Sequence, residues 1–264
     1  MDNAFILMLI ITFVGGLATA FATGIGALPF YLIKDVPKRT GAILSALAAG
    51  MMAAASVLLI TEASRRTQLN IPIDLALGVL AGIAFLQLTE HHITKRQQTT
   101  SSRPARRLTL TSILIVAAMT AHSLPEGIAV GVGFGSAAQS HTLAFGYAVC
   151  IAIAIHNIPE GLAIGLALRA QDVSPTRCVA WSIFTSLPQP LAAVPAAAMV
   201  WLFEPLLSAG MGFAGGAMLA LVLTHLLPES VRDAGRLPTL AATTAGAIVM
   251  TTMMILTGFV GHTM

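Results

Sequence analysis

The chain has 264 residues, of which 56% are hydrophobic and only 9% charged, with a mean hydropathy of +0.85 and a formal net charge of +3. An ordinary soluble domain carries about 25% charged residues, so this composition excludes one and points to a chain solvated by lipid. The small positive excess is a weak argument for nucleic acid, and the two cysteines, Cys150 and Cys178, sit in or at the edge of apolar runs, with neither a disulfide framework nor a zinc-knuckle spacing.

A bilayer core of about 30 Å needs ~20 mostly apolar residues per helix. Cutting the chain at its charge and Pro/Gly clusters predicts eight such spans, near 5–33, 41–62, 72–94, 109–134, 142–168, 178–203, 207–229 and 238–261. The first has no charged residue, exceeds the length of a signal-peptide core and lacks a basic region before it, so it reads as a retained span. Between the third and fourth spans, "KRQQTTSSRPARR" at 95–107 reads as a flexible cytoplasmic linker, about 95–108, too short to be a module. The expected fold class is therefore an all-α integral membrane protein: eight transmembrane helices in one bundle, with 1–264 as a single transmembrane domain.

An even number of spans puts both termini on one side, and the basic residues choose the side. Loops after odd-numbered spans hold Lys34, Lys38 and Arg39, then Lys95, Arg96, Arg103, Arg106 and Arg107, then Arg169 and Arg177, then Arg232 and Arg236, which is 12 of the 14 basic residues. Only Arg65 and Arg66 follow the second span. Because short cytoplasmic loops are enriched in Lys and Arg, both termini are expected outside.

The fourth and fifth spans repeat a polar pattern: "AHSLPEGIAVGVG" at 121–133 and "IHNIPEGLAIGLA" at 155–167. His122 and His156 fall near the middle of their spans, where an ionisable group is costly and marks a functional site by default. His122 and Glu126 are four residues apart, as are His156 and Glu160, so each pair shares a helical face. Consecutive spans run antiparallel, which lets the pairs converge. Pro125 and Pro159 cannot donate to the carbonyls four residues back and should kink both helices. Two imidazoles and two carboxylates form a nitrogen/oxygen set suited to Zn²⁺, Fe²⁺ or Mn²⁺, and a charge of −2 balances one divalent ion. The competing reading is two kinked helices whose His and Glu only hydrogen-bond each other.

At these residues the chain resembles the ZIP (Zrt/Irt-like protein) family of divalent metal transporters, in particular its bacterial members. The resemblance is carried by "HSLPEG" and "HNIPEG", with "SALAAGMMAAASVLLITEA" in span two, "SLPQPLAAVPAA" in span six and "GGAMLALVLTHLLPES" in span seven, and it covers most of the chain. It implies uptake of a divalent transition metal across the bacterial inner membrane into the cytoplasm, zinc first and iron, manganese or cadmium besides, through a site between spans four and five flanked by two and six. It matches His122, Glu126, His156 and Glu160 to the primary metal site and Met52 to a neighbouring ligand, for which core packing is the competing reading. A second, adjacent site shared through Glu160 would fall at Ser123, Asn157 and Gln189. Here the chain departs from the family: Gln189 is neutral where an acid is common, and Asn157 replaces a possible aspartate, so a single ion is expected. His225, with Glu229 nearby, stands where an acid is usual in span seven and reads as a relay ligand or a hydrogen-bonded helix-end histidine. His91 and His92, beside Glu90, are candidates to receive exiting metal. Glu62 and Asp74 are read as attracting cations, capping or simply solvated, and His141 and His262 as exposed.

The leading function is therefore a metal uptake transporter whose partners are the divalent ion it moves and the lipid bilayer. No prosthetic cofactor and no nucleic acid are expected, and a homodimer is left open. The alternative is an intramembrane metal-dependent hydrolase. Against it, the sequence has no HExxH and places no further base or nucleophile beside the His/Glu set. A metal-sensing protein would carry a soluble output module, which is not found.

Overall fold

The computed structural model describes residues 3–33, 37–66, 73–99, 104–169, 172–203 and 206–256, and the regular structure among them is helical. In chain order these are α1 (Asn3–Gly26), closed by a 3₁₀ turn at Leu28–Tyr31; α2 (Lys38–Arg66); α3 (Ile73–Thr99); α4 (Pro104–Gly135); the single turn α5 (Ala137–Ser140); α6 (Ala144–Arg169); α7 (Pro175–Ser186); α8 (Pro188–Leu202); α9 (Leu206–Leu221); a π-turn at Val222–Leu226 that leads into α10 (Leu227–Ala234); and α11 (Arg236–Leu256). Helices are the natural outcome for such a chain, because a lipid-facing backbone must satisfy every N–H and C=O internally.

Among the described residues six stretches are long and apolar enough to cross a membrane: Asn3–Tyr31, Lys38–Arg65, Ala144–Arg169, Pro175–Leu202, Leu206–Ala234 and Arg236–Leu256. α3 adds a shorter apolar run, Ile73–Thr89. The expected fourth span falls within α4, where the side chains of residues 104–118 lie outside the described residues. The sixth expected span is two helices. Pro188 and Pro190 have no N–H for the carbonyls four residues back, and the Phe184 carbonyl that Pro188 cannot reach is taken instead by the Leu187 N–H at 3.2 Å, in a tight turn. The linker read as flexible is helical at 95–99 and 104–108, with 100–103 outside the described residues. Its Lys, Arg, Gln, Ala and Leu are good helix formers, and Pro104 occupies a first helical position, where proline is favoured.

The helices pack in close pairs at glycines. A Cβ on Gly161 of α6 would run into the Thr23 carbonyl oxygen of α1; one on Gly131 of α4 into Ala193 O of α8; on Gly50 of α2 into Thr243 O of α11; and on Gly82 of α3 into Phe213 O of α9. Small residues let helix backbones approach in the absence of a hydrophobic drive between them. α1, α4, α6, α7 and α8 form one group, and α2, α3, α9, α10 and α11 a second, joined by α2 on α6 and α4 on α9. Large apolar side chains such as Leu7, Ile10, Val14, Phe21 and Ile25 of α1 face outward, while Met8, Met52, Met211, Met218, Met250 and Met254 are buried. The core thus combines flexible thioethers and small residues with branched side chains such as Val130, Ile153, Ile164 and Leu168.

Most buried hydroxyls are used up within their own helices. Thr12 Oγ1 donates to Met8 O at 2.8 Å, Thr19 Oγ1 to Gly16 O at 2.8 Å, Ser56 Oγ to Met52 O at 2.7 Å and Ser136 Oγ to Gly133 O at 2.7 Å. Both cysteines are buried and free, with Cys150 Sγ 3.4 Å from Gly15 O, as packing residues would be.

Gly161→Val should separate α1 from α6 and destabilise the protein by about 1–3 kcal/mol or more, read as a lower melting temperature in detergent. Ile151→Ala, on the outward side of the same helix at 41% exposure, should change stability by no more than about 0.5 kcal/mol.

Candidate metal centre

α4 and α6 carry the same local device. In each, a proline stands immediately before the glutamate and a glycine immediately after it. Pro125 and Pro159 leave the Ala121 and Ile155 carbonyls without their helical donors, an irregularity tolerated at depth where the backbone lines a protein cavity. Gly127 sets the turn bearing Glu126 down on α8, where a Cβ would stand 2.7 Å from Gln189 Cα, and Gly161 sets the turn bearing Glu160 down on α1.

The result is a buried cluster in which Glu126, His156 and Glu160 offer ligand atoms within 4.8 Å of one another. His156 Nε2 lies 3.0 Å from Glu126 Oε1, with both side chains fully inaccessible. The second oxygen, Glu126 Oε2, accepts a 2.6 Å hydrogen bond from Gln189 Nε2. Asn157 Nδ2 donates to Gln189 Oε1 at 3.2 Å and to the Thr19 carbonyl at 2.9 Å. Among the described residues neither Glu160 oxygen nor His156 Nδ1 meets a hydrogen-bond partner. Burial without partners is unusual, and two carboxylates at this range repel by about 3 kcal/mol even at an effective dielectric of ~20. A cation between them removes both penalties. Zinc bonds to nitrogen and oxygen are ~2.0–2.2 Å, which sets tetrahedral ligands about 3.3–3.6 Å apart, so ligand atoms within 4.8 Å of one another would draw in by up to about 1.5 Å to close on an ion.

Of the residues singled out in the sequence, Glu126, His156 and Glu160 are brought together. His122 lies on α4 four residues before Glu126, and its side chain lies outside the described residues. Ser123 is buried, but its Oγ donates to Met119 O at 3.2 Å. Asn157 and Gln189 join the cluster through hydrogen bonds, and Met52 is buried in the apolar core of α2. The role of the Thr19 carbonyl has no signal in the sequence, since any residue supplies a carbonyl.

Several outlying residues sit elsewhere. His225 is exposed and occupies the π-turn, inside one continuous helical run, so it is not a helix-end histidine. His91 and His92 are exposed, with His92 Nδ1 2.7 Å from Leu88 O, and the side chain of Glu90 lies outside the described residues. Glu62 is buried at 6% exposure, so it is not a solvated rim residue. Asp74 stands in the first turn of α3. His141 is exposed, and His262 lies outside the described residues.

A family model described as ZIP Zinc transporter matches residues 86–259. A protein of Arabidopsis thaliana named as a zinc transporter is 38% identical over 219 residues, which cover 83% of this chain and 34% of the plant protein, so the chain spans about a third of that relative. The zinc transporter GufA of Myxococcus xanthus is 32% identical, with 83% of this chain and 88% of GufA covered. The zinc transporter ZIPB of Bordetella bronchiseptica is 31% identical, with coverages of 83% and 72%.

Ser123→Ala should leave divalent-cation affinity, measured by titration calorimetry, within about threefold of the unaltered chain, because the lost hydroxyl serves its own helix. If His156 binds the ion, its loss costs more than the ten- to hundredfold typical of an outer partner, and His156→Ala should weaken binding by more than about a hundredfold.

Proposed function

Since the chain belongs to the ZIP zinc transporter family, we propose that it is a multi-pass membrane protein that moves Zn²⁺ across a bacterial inner membrane into the cytoplasm. The observation that carries the reading is the Glu126–His156–Glu160 cluster, and above all Glu160, whose two buried oxygens have no hydrogen-bond partner among the described residues. A group in that condition is built for something that comes and goes.

In this reading the whole chain is one transmembrane domain of eight spans, with α3 and α4 as the third and fourth and both termini outside. An arriving ion exchanges water for Glu126, His156 and Glu160, with His122 as a fourth ligand and Met52 beside it. Two carboxylates neutralise a divalent charge, so the ion can lose its hydration shell inside the membrane without a large electrostatic penalty. The same balance argues for a single ion, because Asn157 and Gln189 bring no charge and their amide nitrogens are engaged with Thr19, Glu126 and each other. Relative movement of the two helix groups then exposes the ion to the other side, as is general for carriers with midplane sites. Nitrogen/oxygen ligands also accept Fe²⁺, Mn²⁺ and Cd²⁺, which the centre would carry with lower preference.

Removing one carboxylate from such a site should cost ~3 kcal/mol or more, which is about a hundredfold in affinity. Glu160→Ala protein in proteoliposomes should accordingly lose zinc uptake while eluting as a monodisperse species. Uptake at the unaltered rate would exclude this centre from the path.

A further inference from the structure

The Gln189–Asn157 pair adds no charge to the cluster, but its amide nitrogens tie four helices together. Thr19, Glu126, Asn157 and Gln189 are all fully buried and come from α1, α4, α6 and α8. Their hydrogen bonds run in one direction: Asn157 Nδ2 to Thr19 O at 2.9 Å, the same nitrogen to Gln189 Oε1 at 3.2 Å, and Gln189 Nε2 to Glu126 Oε2 at 2.6 Å. A carbonyl and an ionised carboxylate can only accept, so the two ends of the relay dictate which way both amides point. The final bond has the short length of a charge-assisted hydrogen bond.

The backbone beneath Gln189 is equally constrained. Pro188 and Pro190 flank it, each with φ fixed by its ring. Gly127 of α4 and Gly16 of α1 close on the same turn, where a Cβ would stand 2.7 Å from Gln189 Cα and 2.6 Å from Pro190 Cα respectively. Gln189 therefore presents its amide from a fixed platform.

This matters for coordination. Small ions such as Zn²⁺ take four ligands and are content with one oxygen from each carboxylate. Larger oxygen-seeking ions take six or more ligands and often grip a carboxylate by both oxygens. We propose that Gln189 is a positioning residue that sets which divalent ion the centre prefers: by holding Glu126 Oε2 it turns Oε1, the oxygen that meets His156 Nε2 at 3.0 Å, toward the place a cation would take, and so disfavours ions that need both oxygens. The inference rests on the metal-centre reading above. A hydrogen bond to an ionised group is worth about ten- to a hundredfold in an equilibrium constant, and a two-oxygen grip on Glu126 has to break this one.

The Irving–Williams order alone favours Zn²⁺ over Mn²⁺ at any such site, so the test is the change in their affinity ratio. Zn²⁺ and Mn²⁺ are titrated into the purified full chain in detergent, unaltered and as Gln189→Met, which keeps the side-chain length and removes the donor. The expected result is a Zn²⁺:Mn²⁺ ratio about tenfold lower in Gln189→Met, with X-ray absorption at the bound metal showing one more oxygen neighbour than in the unaltered chain. A purely structural role predicts that both affinities fall together, and an unchanged ratio overturns the proposal. If Gln189→Met is not monodisperse, Asn157→Ala unties the relay one step back and must lower the ratio in the same direction; an unchanged ratio there overturns it equally. Glu160→Ala serves as the separate check on the centre itself: zinc binding undiminished in that variant would mean the metal lies elsewhere, whatever Gln189 does.

Discussion

Two carboxylates held together inside an apolar helix bundle are the constraint on which the rest of this protein depends. Glu126 and Glu160 are buried at 0% and 5% exposure in one cluster with His156. Ionised groups at such depth are tolerated only when paired or hydrogen-bonded. Glu126 has its partners in His156 and Gln189, whereas Glu160 has no hydrogen-bond partner among the described residues. The asymmetry divides the labour. One carboxylate is held by hydrogen bonds in advance, and in the proposed reading the other is satisfied when an ion arrives.

The surrounding architecture can be understood as what makes that arrangement tolerable. Glycines on α4 and α6 let backbones meet where Glu126 and Glu160 emerge, and prolines free carbonyls one turn earlier. Nearby hydroxyls could have competed for the carboxylates or for an ion, but those of Thr12, Thr19, Ser56, Ser123 and Thr185 are occupied by carbonyls of their own helices. Thr23 and Ser186 pair across α1 and α7 at 2.8 Å. Within the cluster the two Glu160 oxygens, His156 Nδ1 and Asn157 Oδ1 are left without a hydrogen-bond partner among the described residues. Their cost is met by the close packing of helix pairs that contain almost no charge.

Much of this was legible in the sequence, and for a physical reason. Histidine and glutamate four residues apart in an apolar run are too costly to be accidental, and their repetition in neighbouring helices points to convergence. Hydropathy anticipated an all-helical chain for the same reason, and six of the expected eight stretches are long and apolar enough to cross a membrane among the described residues. Local pattern has its limits, however. "HLLPE" at 225–229 has the same spacing as the two site motifs, yet His225 is exposed, Glu229 pairs with Arg232 at 3.3 Å, and the segment begins in a π-turn. It has Ser230 in place of the glycine that follows each site glutamate and apolar Leu226 where the site motifs have Ser123 and Asn157, so the close helix approach that buries the site is not available to it. The break at Leu187 was implied by "PQP" but masked by the apolar length of the span, and the burial of Glu62 depends on neighbours that sequence position cannot supply. Gln189 was recognised as a neutral residue at a charged position. Its bond to Glu126, and the Thr19 carbonyl at the far end of the relay, exist only once four helices have been assembled.

Diffraction at the zinc absorption edge, from crystals of the full chain exposed to Zn²⁺, tests the central claim most directly. The account predicts one strong anomalous peak at ~2.0–2.2 Å from Glu126, His156 and Glu160, with Gln189 still bonded to the other oxygen of Glu126. A strongest peak at the exposed pair His91 and His92, with nothing between the two buried glutamates, would contradict it.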